Sequence, residues 1–199
     1  MYDEFLKKFV VLSGKLSIGN PANADMRPLI NMDAVNNVNG FVEEAIENGG
    51  KNLVVKSVFV PRKDCTNGSY TRPAVIEEAG QKSKLFQEEV FGAMIGAIRV
   101  STKDQFFELA NDSKYGLALY LFTKDLVLAQ EASEKIRFGE LYINMPGPEA
   151  SQGYHTGFRM TGLAGEGSVH GTAEYVKRKN VYIDYSGKVC LPTFRKSLQ

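Results

Sequence analysis

Tryptophan is missing from this 199-residue sequence, cysteine and histidine occur twice each, and net charge is almost absent, 24 basic against 23 acidic side chains leaving +1. Each scarcity excludes something. Cys65 and Cys190 lie 125 positions apart, so they form no short metal or redox motif of the Cys-x-x-Cys kind. The balanced charge removes the main argument for nucleic acid or an anionic membrane as partner, since both select a basic face. Long apolar runs are lacking too: the stretch 94–98 is far too short to cross a bilayer. Residues 1–8 carry acids where a secretion signal needs apolar side chains. The expected setting is therefore soluble and cytoplasmic, with both cysteines reduced. A chain of this size buries roughly 70% of its unfolded surface, so its core needs neither disulfide nor metal. Twelve Phe and nine Tyr supply the bulky material that tryptophan does not.

What is present has a rhythm. Tyr2, Phe5, Leu6, Phe9 and Leu12 recur at helical spacing, and Gly14 closes the run. Asp33 stands where a second helix would be capped. Val35, Val38, Val42, Ala45 and Ile46 follow as one stripe, which Gly49-Gly50 ends. Residues 53–60 read as strand, Asn67-Gly68 as a tight turn, and 70–76 as extended, with Pro73 keeping that segment off a central position. Then comes the clearest alternation: strand 94–100, helix from a Thr102 cap to Leu109, strand 117–122, helix from Asp125 to about Ile136, strand 140–144. Strands alternating with such helices predict an α/β fold, a three-layer α/β/α arrangement around a mostly parallel sheet. Residues 145–170 break the rhythm with many glycines and both histidines. Tyr154, Phe158, Met160 and Leu163 mark this segment as a packed loop of the kind that carries function. A short helix at 172–177, a strand at 181–185 and a tail complete the chain.

Several patterns carry little. Gly165-x-Gly167-x-x-x-Gly171 is one residue too long for a dinucleotide fingerprint and follows a loop, and no phosphate-binding P-loop motif occurs. His155 and His170 lack the flanking ligands of a metal site. The segment Gln87-Glu88-Glu89-Val90-Phe91-Gly92 is more specific. By composition it is a pair of surface acids leading into a buried strand. A carboxylate can also clasp the vicinal hydroxyls of a ribose, and an aromatic ring two residues on can lie against a flat heterocycle.

In its order along the chain this segment resembles the aldehyde dehydrogenase superfamily. The matching pieces are Tyr2-Asp3-Glu4-Phe5, Gly19-Asn20-Pro21, Arg27-Pro28-Leu29-Ile30, Gln87 to Gly92, Ala110 to Ala118, Phe122-Thr123-Lys124-Asp125-Leu126, Gly139-Glu140-Leu141-Tyr142-Ile143-Asn144, Arg159-Met160-Thr161-Gly162-Leu163 and Tyr175 to Ile183. They cover residues 2–185 and only the C-terminal portion of the family's chain. The resemblance implies a partial catalytic domain over 1–178, and an oligomerisation strand and tail over 179–199. It implies that Glu89 holds the nicotinamide-side ribose of NAD or NADP and that Phe91 packs near the nicotinamide. Ala93 stands where the family usually has Pro. Within Asn144 to Gly162, through Tyr142-Ile143-Asn144, Glu149-Ala150, Gln152-Gly153-Tyr154-His155 and Gly165 to Gly171, the sequence most resembles lactaldehyde and glycolaldehyde dehydrogenases, in which the positions of Glu149 and His155 face the substrate. Polar groups built to pair with a 2-hydroxyl reject plain aldehydes by leaving donors and acceptors unsatisfied.

The family's reaction needs a thiolate that attacks the aldehyde, and a general base that activates water to release the acid. Neither Cys65 nor Cys190 stands in the family's Gln-Gly-x-x-Cys-like pattern. The expectation is that these 199 residues alone are inactive. They are expected to act as part of a composite site, as a homo-oligomer or with a separate N-terminal polypeptide that supplies the remainder. The alternative is a non-catalytic assembly or remnant domain.

Overall fold

The computed structural model describes residues 1–19, 24–54, 68–147 and 149–185. Cys65, Cys190, Asn67 of the expected turn and most of the expected strand at 53–60 lie outside them.

Helix α1 spans Tyr2–Ser13. Only part of its apolar stripe is used. Leu6 is buried, and Tyr2, Phe9 and Val10 pack with it against Val54 and Val75, whereas Phe5 and Leu12 are about three-fifths exposed. Helix α2 spans Met32–Glu47 and is capped by Asn31, whose Oδ1 accepts from the Ala34 N–H at 2.9 Å. The expected cap, Asp33, stands in the first turn, where its charge faces the helix's unpaired N–H groups. Val35, Val38, Phe41 and Ala45 point inward, and Gly49 ends the helix at φ +92°. Gly40 sits exposed in the middle of α2, where an added Cβ meets nothing within 4 Å. Gly40→Ala is therefore expected to raise stability by about 0.5–1 kcal/mol. The check is a higher urea midpoint at unchanged slope; a lower midpoint contradicts it.

The first sheet has the order β1 (Lys51–Asn52), β2 (Ala74–Glu77), β3 (Met94–Ala97), with β1 antiparallel and β3 parallel to β2. Between β2 and β3 runs the short helix α3 (Lys84–Gln87), capped by Ser83, whose hydroxyl donates to Glu44 of α2 at 2.7 Å. Phe41, Ala45, Ile76, Leu85 and Met94 form the core of this half. In the second half, α4 (Lys103–Asn111) and α5 (Leu126–Lys135) start on the expected caps. Thr102 accepts from Gln105 N–H at 3.1 Å, and Asp125 accepts from Val127 and Leu128 at 2.9 and 3.1 Å. β4 (Ala118–Leu121) and β5 (Glu140–Ile143) pair in parallel, over a core of Phe107, Leu121, Ala132 and Ile136. Two glutamines join the halves: Gln87 Nε2 donates to the carbonyls of Asp112 (3.0 Å) and Gln81 (3.1 Å), and Gln81 reaches back to those of Leu109 and Asp112. The α/β class is as expected; among the described residues its ladders fall into groups of three, two and two strands.

The irregular segment forms short elements, but three of the four side chains expected to pack it stand outward: Phe158, Met160 and Leu163 are 46, 72 and 105% exposed. β6 (His155–Thr156) pairs antiparallel with β7 (Gly165–Glu166), and a 3₁₀ turn (Arg159–Thr161) separates them. The next helix, α6 (Ser168–Glu174), begins four residues before the expected start. Its N-cap is Gly167 at φ +74°, without a side-chain bond; Ser168, a capping-type residue, stands one position later and accepts from the His170 N–H at 3.1 Å. The expected strand at 181–185 forms no ladder with any described strand, and Val181, Tyr182, Ile183 and Tyr185 are 63–91% exposed. β-propensity specifies an extended backbone, but a strand also needs a neighbouring edge.

Candidate functional site

The site is built on β5. Successive side chains of a strand alternate between faces, so Glu140 and Tyr142 share one face. The parallel register sets Tyr142 beside Tyr120 of β4, and the two rings stack at 4.7 Å with an 11° interplanar angle. The stack buries Tyr142 and aims its hydroxyl at two carboxylates, Glu140 Oε2 at 3.0 Å and Glu149 Oε2 at 3.3 Å. His155, the first residue of β6, brings Nδ1 to 2.7 Å from the same Glu140 oxygen. Across the β6–β7 ladder His155 faces Glu166.

Local chemistry places β6 there. Gly139 precedes Glu140, and a Cβ on it would lie 1.7 Å from the Thr156 carbonyl oxygen, so only glycine lets β6 approach β5 this closely. Gly116 is the other anchor: its carbonyl accepts from Gly139 and Phe158 at 3.0 and 2.9 Å, and its N–H donates to Thr161 Oγ1 at 2.8 Å. Arg159, at φ +58°, clasps the carbonyls of Asn111, Ser113 and Arg137 and lies over the Phe138 ring. Asn144, at φ +56°, extends the β4–β5 pairing with its side chain, accepting from Thr123 N–H and donating to Thr123 C=O, both at 2.8 Å.

The electrostatics follow from this placement. Its bond to Glu140 holds the imidazole of His155 above the ordinary range, against the desolvation that lowers it; the charges of Glu140, Glu149 and Glu166 add to the rise. Desolvation first, then the two carboxylates, push the Tyr142 phenol well above its usual range, so it stays protonated and remains a donor. Glu149 is held below the ordinary carboxylate range, first by its own backbone N–H and then by Tyr142 and His155. The result is one imidazole, one phenol and three carboxylates gathered at the β5 and β6 strands.

Two of the four residues singled out in the sequence, Glu149 and His155, are thus brought together through Tyr142 and Glu140. Glu89 and Phe91 sit elsewhere, on the approach to β3, both exposed. Phe91 has φ +54° and is 81% exposed, while Gly92 behind it packs so closely on Val38 that a Cβ would stand 2.5 Å from a Val38 methyl. That contact seats the turn and leaves the ring outward. Sequence reasoning missed Glu140, Tyr142 and Glu166. The signal for the first two was the i, i+2 spacing of a carboxylate and a phenol on a strand leading into the glycine-rich loop.

An α/β protein with this alternation and this polar cluster belongs to the aldehyde dehydrogenase family, whose family model matches residues 1–181. Among individual relatives, the chain is 58% identical over 188 residues to D-glyceraldehyde dehydrogenase (NADP(+)) of Thermoplasma acidophilum, covering 94% of this chain and 38% of that protein. It is 54% identical over 199 residues to the protein of the same name from Picrophilus torridus, covering all of this chain and 40% of that one. The crystal structure of lactaldehyde dehydrogenase from Escherichia coli superposes with a TM-score of 0.80 at 32% identity, over 92% of this chain and 38% of the other. The chain therefore spans about two fifths of the length of these relatives.

Proposed function

We propose that this chain supplies the substrate-side wall of an aldehyde dehydrogenase that oxidises a small, neutral 2-hydroxyaldehyde of the glyceraldehyde and lactaldehyde type to the acid, with NAD or NADP as the acceptor. The observation that carries the reading is the convergence of His155 and Glu149 on the Tyr142 hydroxyl and Glu140. A 2-hydroxyaldehyde offers a donor and acceptor next to the reacting carbonyl, and an imidazole paired with a carboxylate can satisfy both. The names borne by the two relatives above 50% identity, and by the E. coli structure, support that substrate class.

The nicotinamide cofactor, when bound, supplies the two-electron acceptor. Glu89 and Phe91 fit such a group: an exposed carboxylate suits ribose hydroxyls, and an exposed ring suits a flat heterocycle. In this reading Glu89 orients the sugar, Phe91 shields one face of the ring from water, and His155 and Glu149 hold the substrate hydroxyl. The attacking thiol comes from the part of the enzyme that precedes these pieces in family order. That part, or a second copy of this chain, also covers the outward apolar side chains Leu163, Val169, Tyr175 and Tyr182.

The test is a chimera in which this chain replaces the matching segment of the Thermoplasma acidophilum enzyme. His155→Ala and Glu149→Gln are each expected to lower the ratio of kcat/KM for D-glyceraldehyde over propanal by about tenfold or more, the worth of one good hydrogen bond to a charged group. An unchanged ratio in both variants sinks the reading and favours the non-catalytic alternative.

A further inference from the structure

The substrate-side pair leaves three groups of the cluster without a task, Glu140, Tyr142 and, across the β6–β7 ladder, Glu166. Glu140 touches both His155 and Tyr142 through a single oxygen, and Tyr142 touches both carboxylates through a single hydroxyl. We propose that Glu140, acting with Tyr142, is a positioning residue that fixes which nitrogen of His155 works toward the substrate and how Glu149 is turned. This rests on the reading of His155 and Glu149 as substrate-facing.

At 2.7 Å, His155 Nδ1 and a Glu140 carboxylate oxygen cannot both present lone pairs, so a proton lies between them; the ring as it stands does not aim Nδ1 squarely enough for a hydrogen bond, and with the carboxylate as acceptor that proton belongs to Nδ1. Nδ1 is also shielded from water, so no solvent molecule substitutes for the carboxylate. Nε2 is then the atom left for the substrate: a donor when the ring is charged, an acceptor of the substrate hydroxyl's proton when it is neutral. The phenol of Tyr142 has one proton for two acceptors. While Nδ1–H serves Glu140, that proton is available to Glu149 Oε2, 3.3 Å away, and holds that oxygen in place. The Tyr120 stack keeps the phenol from swinging out, so the orientation of Glu149 is coupled to the state of His155.

Four titratable groups face or adjoin the imidazole: Glu140 and Tyr142 on β5, Glu149 on the loop after it, and Glu166 on β7. All three carboxylates favour the charged ring. The cation therefore persists to higher pH than in an ordinary histidine and is lost as pH rises through the raised value. Removing Glu140 takes away the nearest of these charges and the only partner within hydrogen-bond distance of Nδ1 among the described residues.

The experiment is an imidazole NMR titration of the 199-residue chain, with its two histidines told apart by a His170→Gln spectrum. In the unmodified chain the neutral form of His155 is expected to be the Nδ1–H tautomer by ¹⁵N shifts, opposite to the Nε2–H preference of free histidine. Glu140→Gln is expected to move the His155 titration to lower pH. Tyr142→Phe, which keeps the ring stack, is expected to leave it high. A neutral Nε2–H tautomer in the unmodified chain, or a titration unmoved by Glu140→Gln, overturns the inference whatever the kinetics. In the chimera, Glu140→Gln is expected to reduce the preference for D-glyceraldehyde over propanal about tenfold. If the titration moves as expected while that preference stays, the positioning role stands and the substrate reading fails.

Discussion

Gly139→Ala is expected to cost about 3 kcal/mol or more of folding stability, the top of the range for forced overpacking. The added methyl would lie 1.7 Å from the Thr156 carbonyl oxygen and 2.6 Å from its carbon, the closest approach of any glycine among the described residues. The obstacle is backbone, so no side chain can rotate out of the way, and β6 has to lift from β5. Lifting strains the Gly139 N–H bond to Gly116, and the Phe158 bond to the same carbonyl goes with it. It also carries His155 away from Glu140, so the loss of stability should come with a fall in the pH at which His155 titrates. Urea unfolding checks the first effect and NMR the second. A loss below about 0.5 kcal/mol, the scale of an ordinary surface change, would mean that β6 does not rest on Gly139. Gly40→Ala, in the same chain and with the same added atoms, should move stability the other way, because its Cβ meets open space.

The 199-residue chain by itself is expected to show no aldehyde-dependent reduction of NADP. Joined to the preceding part of a relative, it is expected to gain at least about 10⁴-fold, the scale on which loss of a nucleophile or its base is felt. The reason is chemical: on the proposed reading His155, Glu149, Glu89 and Phe91 hold a substrate and a cofactor, and none of them forms the covalent intermediate that splits the oxidation into two accessible steps. Neither Cys65 nor Cys190 stands in the family's nucleophile pattern. Changing both to Ser is therefore expected to leave the joined enzyme active. Turnover by the chain alone, or loss of turnover in the joined enzyme on Cys65→Ser, would overturn this.

The local features of this molecule were open to reading because their physics is local. Thr102 and Asp125 bond to N–H groups two or three residues ahead, and those caps were legible without any tertiary knowledge. The same holds for the alternation of strands and helices from β3 to β5, and for the motif residues that led to the family. Asn31 won the cap of α2 over Asp33 although both are good capping residues, a choice that periodicity leaves open by a residue or two.

The site was legible by halves. Glu149 and His155 could be picked out by likeness, but the linear order says nothing of Glu140 and Tyr142 as their partners. His155 lies 15 residues beyond Glu140 and returns to it only because Gly139 lets one backbone rest on another and Arg159 gathers three carbonyls behind it. Likewise, a helical stripe names the apolar side chains of α1 but not that Phe5 and Leu12 stay outside the core. Propensity, capping and alternation act over a few bonds, and so are written in neighbouring residues. A cluster of an imidazole, a phenol and carboxylates depends on separations of 2.7–3.3 Å between groups apart along the chain, and only packing sets those.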